Sequence, residues 1–165
     1  MSKIRLIKQS DLKTVDQIYN QAIQAKISTA HTVPLSGEER MAWFREHDPA
    51  TYPVYVYDEN DVVAGYIFFS PYRKGRKALK STAEISYYVH NDFHRRGIGT
   101  SLMEHAIQKA PDLGFKTLIA ILMDPNTASI ALLKKFGFNL WGNMPGILEV
   151  DGEKYNHQYY GLHIS

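Results

Sequence analysis

A chain of 165 residues is long enough for one domain with one real core and too short for two well-built ones, so residues 1–165 are expected to form a single domain. Its composition, 44% hydrophobic, 22% charged and 12% aromatic, excludes a disordered or low-complexity chain, and the lack of cysteine excludes disulfides, thiolate-bound zinc, iron–sulfur clusters and a cysteine acyl-enzyme. Lys and Arg number 19 against 17 Asp and Glu, and a net charge of +2 is too small to suggest an extended nucleic-acid surface.

Residues 3–8 alternate charged and apolar side chains and read as a short strand running into a helix cap at Ser10-Asp11. Leu12, Val15, Ile18, Tyr19, Ala22 and Ile23 then follow the spacing of a buried helical stripe, which breaks over Lys26 to Pro34. Ser36-Gly37-Glu38-Glu39 resembles a helix start with acids in its first turn, leading through Trp43-Phe44 to an end by Pro49. Val54 to Tyr57 and Val62 to Phe69 flank a polar turn and signal a hairpin. A basic loop over Tyr72 to Lys80 leads into a strand at Thr82 to Val89, with Glu84, Ser86 and Tyr88 on one face and Ile85, Tyr87 and Val89 on the other.

From Gly97 a second amphipathic helix runs to a stop at Pro111. Leu118 to Met123 is a continuous apolar run, the pattern of a buried parallel strand. Asn126 or Thr127 caps a last helix closed by Gly137, and residues 147–162 fit a hairpin turning at Asp151-Gly152. The predicted class is α/β, a mixed central sheet flanked by helices. Met1 to Asp11 lacks the apolar stretch of a signal peptide and no run is long enough to span a bilayer, so the expectation is a cytoplasmic location without membrane association.

The most informative segment is Val89 to Gly99, where a strand ends, His94-Arg95-Arg96 makes a basic turn, and Gly97-Ile98-Gly99 opens a helix. Glycines let backbone approach a ligand, the first-turn N–H groups point at it, and the helix dipole favours an anion. That outlines a phosphate cradle; a glycine-softened turn with solvated arginines fits the same residues. Leu102 occupies the third glycine position of a dinucleotide fingerprint, and no Gly-Lys-Ser/Thr follows to make a P-loop.

This segment resembles motif A of the GNAT acyltransferases, the Gcn5-related N-acetyltransferases, with the pattern Gln/Arg-x-x-Gly-x-Gly/Ala. Asn126, Ser129 and Lys135-Phe136-Gly137-Phe138 resemble that family's next motif. Ile18-Tyr19-Asn20, Arg40 to Phe44, Thr82-Ala83-Glu84 and Gly146 to His157 are similar to its phosphinothricin and methionine-sulfoximine acetyltransferase branch. The resemblance implies the GNAT fold, acetyl-CoA as donor, the primary α-amine of a small amino-acid analogue as acceptor, direct transfer without an acyl-enzyme, and a homodimer. It places acetyl-CoA along Tyr87, Tyr88 and Val89, its pyrophosphate on Arg95, Arg96, Gly97, Ile98, Gly99 and Thr100, and its arm against Asn126.

Three positions depart from the pattern. His94 stands where motif A has Gln or Arg, Leu133 where many members carry a tyrosine that protonates the departing thiolate, and Lys77-Ala78-Leu79-Lys80 where the branch shows an Ala-Tyr pair. No general acid is assigned on these grounds.

An amine must lose a proton before attacking a thioester, and a carboxylate with a raised pKa can accept it, directly or through water. Glu84 is the candidate base; a solvated strand glutamate paired with Arg73 or Arg76 is the structural alternative. The Val89 N–H is the candidate donor to the thioester oxygen where the sheet is expected to splay. Arg73, Arg76 and Lys80 are candidates for an acceptor's anionic groups, against a simple solvated loop, and His157 for the acceptor pocket, against a partly buried structural histidine. Tyr19, Trp43, Phe44 and Trp141 are core by default, one or two of them walling the acceptor site. His31, His47, His90, His94, His105 and His163 lack a convincing ligand set, so no metal is expected. Two other functions fit the same residues: a non-catalytic acyl-CoA sensor, and acetylation of a protein amine.

Overall fold

The computed structural model describes residues 1–164. Its strands are β1 (Ser2–Leu6), β2 (Val54–Glu59), β3 (Val62–Pro71), β4 (Thr82–Val89), β5 (Thr117–Met123), β6 (Asn139–Val150) and β7 (Glu153–His163). Its α-helices are α1 (Leu12–Ala25), α2 (Gly37–Glu46), α3 (Ile98–Lys109) and α4 (Thr127–Lys135). All seven strands join one sheet in the order β1-β2-β3-β4-β5-β7-β6, in which β4 and β5 are parallel and every other neighbouring pair is antiparallel.

Local chemistry explains the boundaries. Ser36 and Glu39 form a reciprocal capping box at the start of α2, Glu39 N donating to Ser36 Oγ at 3.1 Å and Ser36 N to Glu39 Oε1 at 2.9 Å. The β2–β3 turn puts Asn60 and Asp61 at positive φ, the geometry that joins twisted strands over two residues. β5 reads as an unbroken apolar run because both its faces are covered.

Each face of the sheet carries its own core. Ile67, Phe69, Ile85 and Leu118 pack with Ile98, Leu102 and Met103 of α3 and Leu133 of α4. On the opposite face Val54, Val56 and Tyr66 pack with Val15 and Ile18 of α1. Gly65 permits the close seat of α3: a Cβ there would stand 3.0 Å from the Tyr88 carbonyl and 3.2 and 3.3 Å from Ile98 and Leu102.

Sequence and structure part in the tail. Local pattern predicts the hairpin only over residues 147–162, whereas β6 begins at Asn139. Gly142, Pro145 and Gly146 interrupt its pattern, and as an edge strand it exposes most of its side chains on both faces, so no alternation marks it. Trp141, assigned to the core by default, is on this strand and is exposed; a Cβ on Gly161 of β7 would collide with its ring.

Asp11 stands at the N-cap of α1 as expected, but its side chain makes no cap bond there and closes an ion network. Arg5 reaches Asp11 through Nη1 and Nη2 (2.8 and 3.0 Å) and Asp58 through Nε (2.8 Å), while the N–H groups of Lys8 and Asp61 donate to the same carboxylates. Burial pushes the Asp11 carboxyl up, but the Arg5 and Lys8 bonds outweigh it and hold it low; Arg5 chiefly holds Asp58 low as well. Depressed carboxyl pKa values stabilise the fold above the unfolded-state value of about 4, and that contribution is lost as pH falls through the folded-state values. Arg5→Ala is expected to cost about 2 kcal/mol at pH 7, with the deficit shrinking below about pH 4, as measured by denaturant unfolding across pH.

Candidate active site

β4 and β5 pair only at Thr82↔Thr117, Ala83↔Leu118 and Glu84↔Ile119, then part. The Ser81 carbonyl accepts from Lys116 N and Thr117 N on the β5 side, and His90 N donates to the Ala64 carbonyl on the β3 side. Strand backbone alternates sides, so the odd-numbered residues of β4 turn their N–H and C=O toward β5. Beyond Glu84 that side is open: the Ile85 N–H closes the last ladder bond, on Ile119, and the Val89 carbonyl accepts from His94 Nε2, which leaves the Ile85 carbonyl, both Tyr87 groups and the Val89 N–H unladdered at the gap. Such groups require a partner, and the gap has the form of a strip on which an amide-bearing ligand could supply it.

The gap widens into a cleft of about 580 Å³ lined by Tyr87, Tyr88, Val89, Arg95, Gly97, Ile98, Gly99, Thr100 and Asn126. These expected coenzyme residues are thus brought together. Arg95 and Gly97 both have positive φ (62° and 77°), which turns the chain into α3 with free N–H groups facing the cleft. The backbone thus has the shape that a phosphate cradle requires. Arg96 departs from expectation: its Nη2 binds Glu59 at 2.8 Å, its guanidinium lies over the Phe93 ring, and it does not line the cleft. Asn126 caps α4 by accepting from Ser129 N at 3.3 Å, which leaves its amide nitrogen to face a ligand.

His94, the departure from motif A, has a structural role of its own. Its Nε2 donates to the Val89 carbonyl at 3.0 Å and ties the cradle to the end of β4. Sequence reasoning missed this link, and it missed Gln21, which also lines the cleft. Gln21 accepts from Asn91 N at 2.8 Å and contacts His90 Nε2 at 3.1 Å, bolting α1 to the turn after β4. A polar residue on the rim of an amphipathic helix is the signal that could have found it.

Glu84 stands at the apex, the last β4 residue paired with β5. It faces the α1–α2 side with Ser86 and Tyr88, and burial raises its carboxyl above the ordinary range. Among the described residues it forms no ion pair, so the expected alternative partners Arg73 and Arg76 do not hold it. Around it on this face are aromatic rings: Tyr88 meets Tyr19 edge-on at 5.2 Å, and Trp43 meets Phe68 edge-on at 5.2 Å. Arg40 is buried between them, its guanidinium 4.6 Å from Trp43 and 5.3 Å from Tyr19, with Nε bound to Asp16 at 2.7 Å. Sequence pattern does not announce a buried cation on this face, because Arg40 sits in a helix that reads as mostly solvated.

Arg73, Arg76 and Lys80 are exposed and outside the cleft, but their loop springs from the Ser70↔Glu84 and Pro71↔Ala83 pairs, beside the apex. His157 pairs with Met123 of β5, on the same face as Ile119 and Glu84 by strand alternation, without lining the cleft. Burial lowers its pKa. No group of three or more potential metal ligands occurs among the described residues.

Comparison with known proteins agrees with this geometry. The acetyltransferase (GNAT) family model matches residues 15–138. A Bacillus subtilis (strain 168) protein named "Putative phosphinothricin acetyltransferase YwnH" is 39% identical, over 98% of this chain and 99% of that one. An L-methionine sulfoximine/L-methionine sulfone acetyltransferase from Salmonella typhimurium is 31% identical over 87% of this chain and 84% of its own. The crystal structure of a GNAT superfamily phosphinothricin acetyltransferase from Sinorhizobium meliloti in complex with acetyl-CoA superimposes with a TM-score of 0.92 at 26% identity, covering 98% of this chain and 88% of that one. Sequence and fold thus agree, and the chain belongs to the GNAT family of acetyl-CoA-dependent N-acetyltransferases.

Proposed function

We propose that this enzyme acetylates the primary α-amine of a small amino-acid analogue of the methionine sulfoximine, methionine sulfone or phosphinothricin type, by direct attack on acetyl-CoA. The observation that carries this reading is the position of Glu84, a half-buried carboxylate without an ion-pair partner among the described residues, at the apex where β4 and β5 part. The relatives at 31–39% identity act, by their names, on acceptors of this kind.

The residues of the chain divide the work. Arg95 and Gly97 to Thr100 hold the pyrophosphate, and the backbone of Tyr87 to Val89 with the Asn126 amide holds the arm. Acetyl-CoA supplies the thioester. Glu84 removes the ammonium proton, directly or through one water, and the raised pKa makes it a stronger base. The odd-side N–H groups of β4 are aimed into the cleft by strand alternation: that of Tyr87, nearer Glu84, donates to the carbonyl oxygen as it becomes negative, while that of Val89, five residues and about 16 Å along the strand from Glu84, holds the arm. The loop carrying Arg73, Arg76 and Lys80 closes over the acceptor's anionic groups, and His157 bounds the same side.

The same chain is proposed to work as a homodimer, since the edge strand β6 exposes Leu140, Trp141, Met144 and Ile147. Light scattering is expected to give a two-chain mass and Ile147→Lys a one-chain mass.

Thiol release from acetyl-CoA tests the acceptor class. Saturable turnover is expected with methionine sulfoximine, methionine sulfone or phosphinothricin; silence on all three alongside acetylation of a peptide or polyamine overturns the assignment. Glu84→Gln is expected to lower kcat/KM by about 100-fold or more. In the wild type the rate falls as pH drops through the raised Glu84 value, and this acid limb disappears in Glu84→Gln, whose melting temperature does not fall because a buried charge has been removed. Gly97→Val forces a β-branched residue to positive φ at a cost of roughly 1–2 kcal/mol, and is expected to weaken acetyl-CoA binding about tenfold in a titration.

A further inference from the structure

The acyl transfer proposed above leaves one need unmet: the sulfur acquires a negative charge when its bond to carbon breaks. Leu133, at the position where many family members carry a tyrosine, is fully buried in the core of the α3–α4 face and bears no donor. On that same face, Tyr87 points its side chain from the middle of β4 toward the first turn of α4. Its hydroxyl is buried and has no hydrogen-bond partner among the described residues, although Tyr87 and Ser129 both line the cleft and the Ser129 hydroxyl is near enough to bear on the phenol's ionisation. A buried hydroxyl without a partner forfeits a hydrogen bond, and in a ligand cleft the missing partner is a ligand atom.

The occupant of that position follows from the strand. The Tyr87 N–H and C=O face the gap with the Ile85 C=O and the Val89 N–H, so a ligand arm running along β4 passes this residue, and its thioester end lies toward Glu84. We propose that the Tyr87 hydroxyl donates a hydrogen bond to the coenzyme sulfur and stabilises it as the thiolate departs. This rests on the acetyl-transfer reading.

The step balances without proton transfer from the phenol. The nitrogen bonds to the acetyl carbon, the carbon–sulfur bond breaks, and its electron pair stays on sulfur. The two protons shed by the amine leave in turn through Glu84 to solvent, and the released thiolate is protonated there. Burial pushes the Tyr87 phenol up to about 12, so it keeps its proton throughout and acts as a neutral donor.

Tyr87→Phe removes one oxygen and keeps the ring in place. Two measurements decide the proposal. The first titrates the thiol of bound coenzyme A by its ultraviolet thiolate absorbance; the wild type is expected to hold that thiol about one pH unit lower than Tyr87→Phe does. The second is steady-state kinetics, in which Tyr87→Phe is expected to lower kcat about 10- to 100-fold with KM for acetyl-CoA changed less than about twofold and the Glu84 acid limb unmoved. A residue that only walls the cleft would leave both the thiol titration and kcat unchanged, and that result overturns the proposal. If coenzyme A binds but no acceptor turns over, the acceptor assignment fails while the thiol titration still decides the role of Tyr87. If coenzyme A does not bind, the proposal falls with the reading beneath it.

Discussion

Everything functional here depends on one interruption of pairing: β4 and β5 run parallel for three residues and then separate. A parallel pair at the centre of a sheet ordinarily continues, because unladdered backbone in a buried place is costly. The separation persists because other bonds fix both walls independently. β3 holds β4 along seven residue pairs, β7 holds β5 along seven, and His94 closes off the Val89 carbonyl at the far end. Strand separation is thus a property of the framework, and the ligand meets backbone already turned toward it.

The two faces of the sheet then acquire different chemistry from the same strand. Even-numbered residues of β4 place Glu84 and Tyr88 against the aromatic side chains and buried Arg40 of the α1–α2 face; odd-numbered residues place Ile85 and Tyr87 against α3 and α4. With Glu84 as the proposed base on one side and the proposed coenzyme cradle on the other, the reaction would run through the sheet, at the point where it has opened. Ionising Glu84 in this setting costs folding free energy, because burial disfavours the charged form.

Much of this was legible in the sequence, for identifiable reasons. The capping box at Ser36, the apolar stripe of α1 and the unbroken apolar run of β5 are local signals, and the structure follows them. The turn into α3 was legible because the glycines at the head of that helix mark it, and the structure gives Gly97 a positive φ there. What escaped were features set by distant partners. Arg96 reads as part of the cradle, but Glu59 claims it; β6 reads short because an edge strand need not alternate; Arg40 is unremarkable until α1 and the sheet enclose it. The strand order, with β7 between β5 and β6, lies beyond local pattern altogether.

On the proposed reading the donor is recognised along β4 by backbone, and this bears on how such a chain changes over generations. Replacing the side chain of Ile85 or Val89 leaves the N–H and C=O of the strip where they were; among common substitutions only proline removes a donor outright. The opposite face is built from side chains on α1, on α2 and on the loop from Arg73 to Lys80, whose replacement alters what they touch. On that reading donor recognition is buffered against drift while acceptor recognition is open to it, so lineages of this architecture would exchange one amine for another without rebuilding the half of the molecule that handles the acyl group.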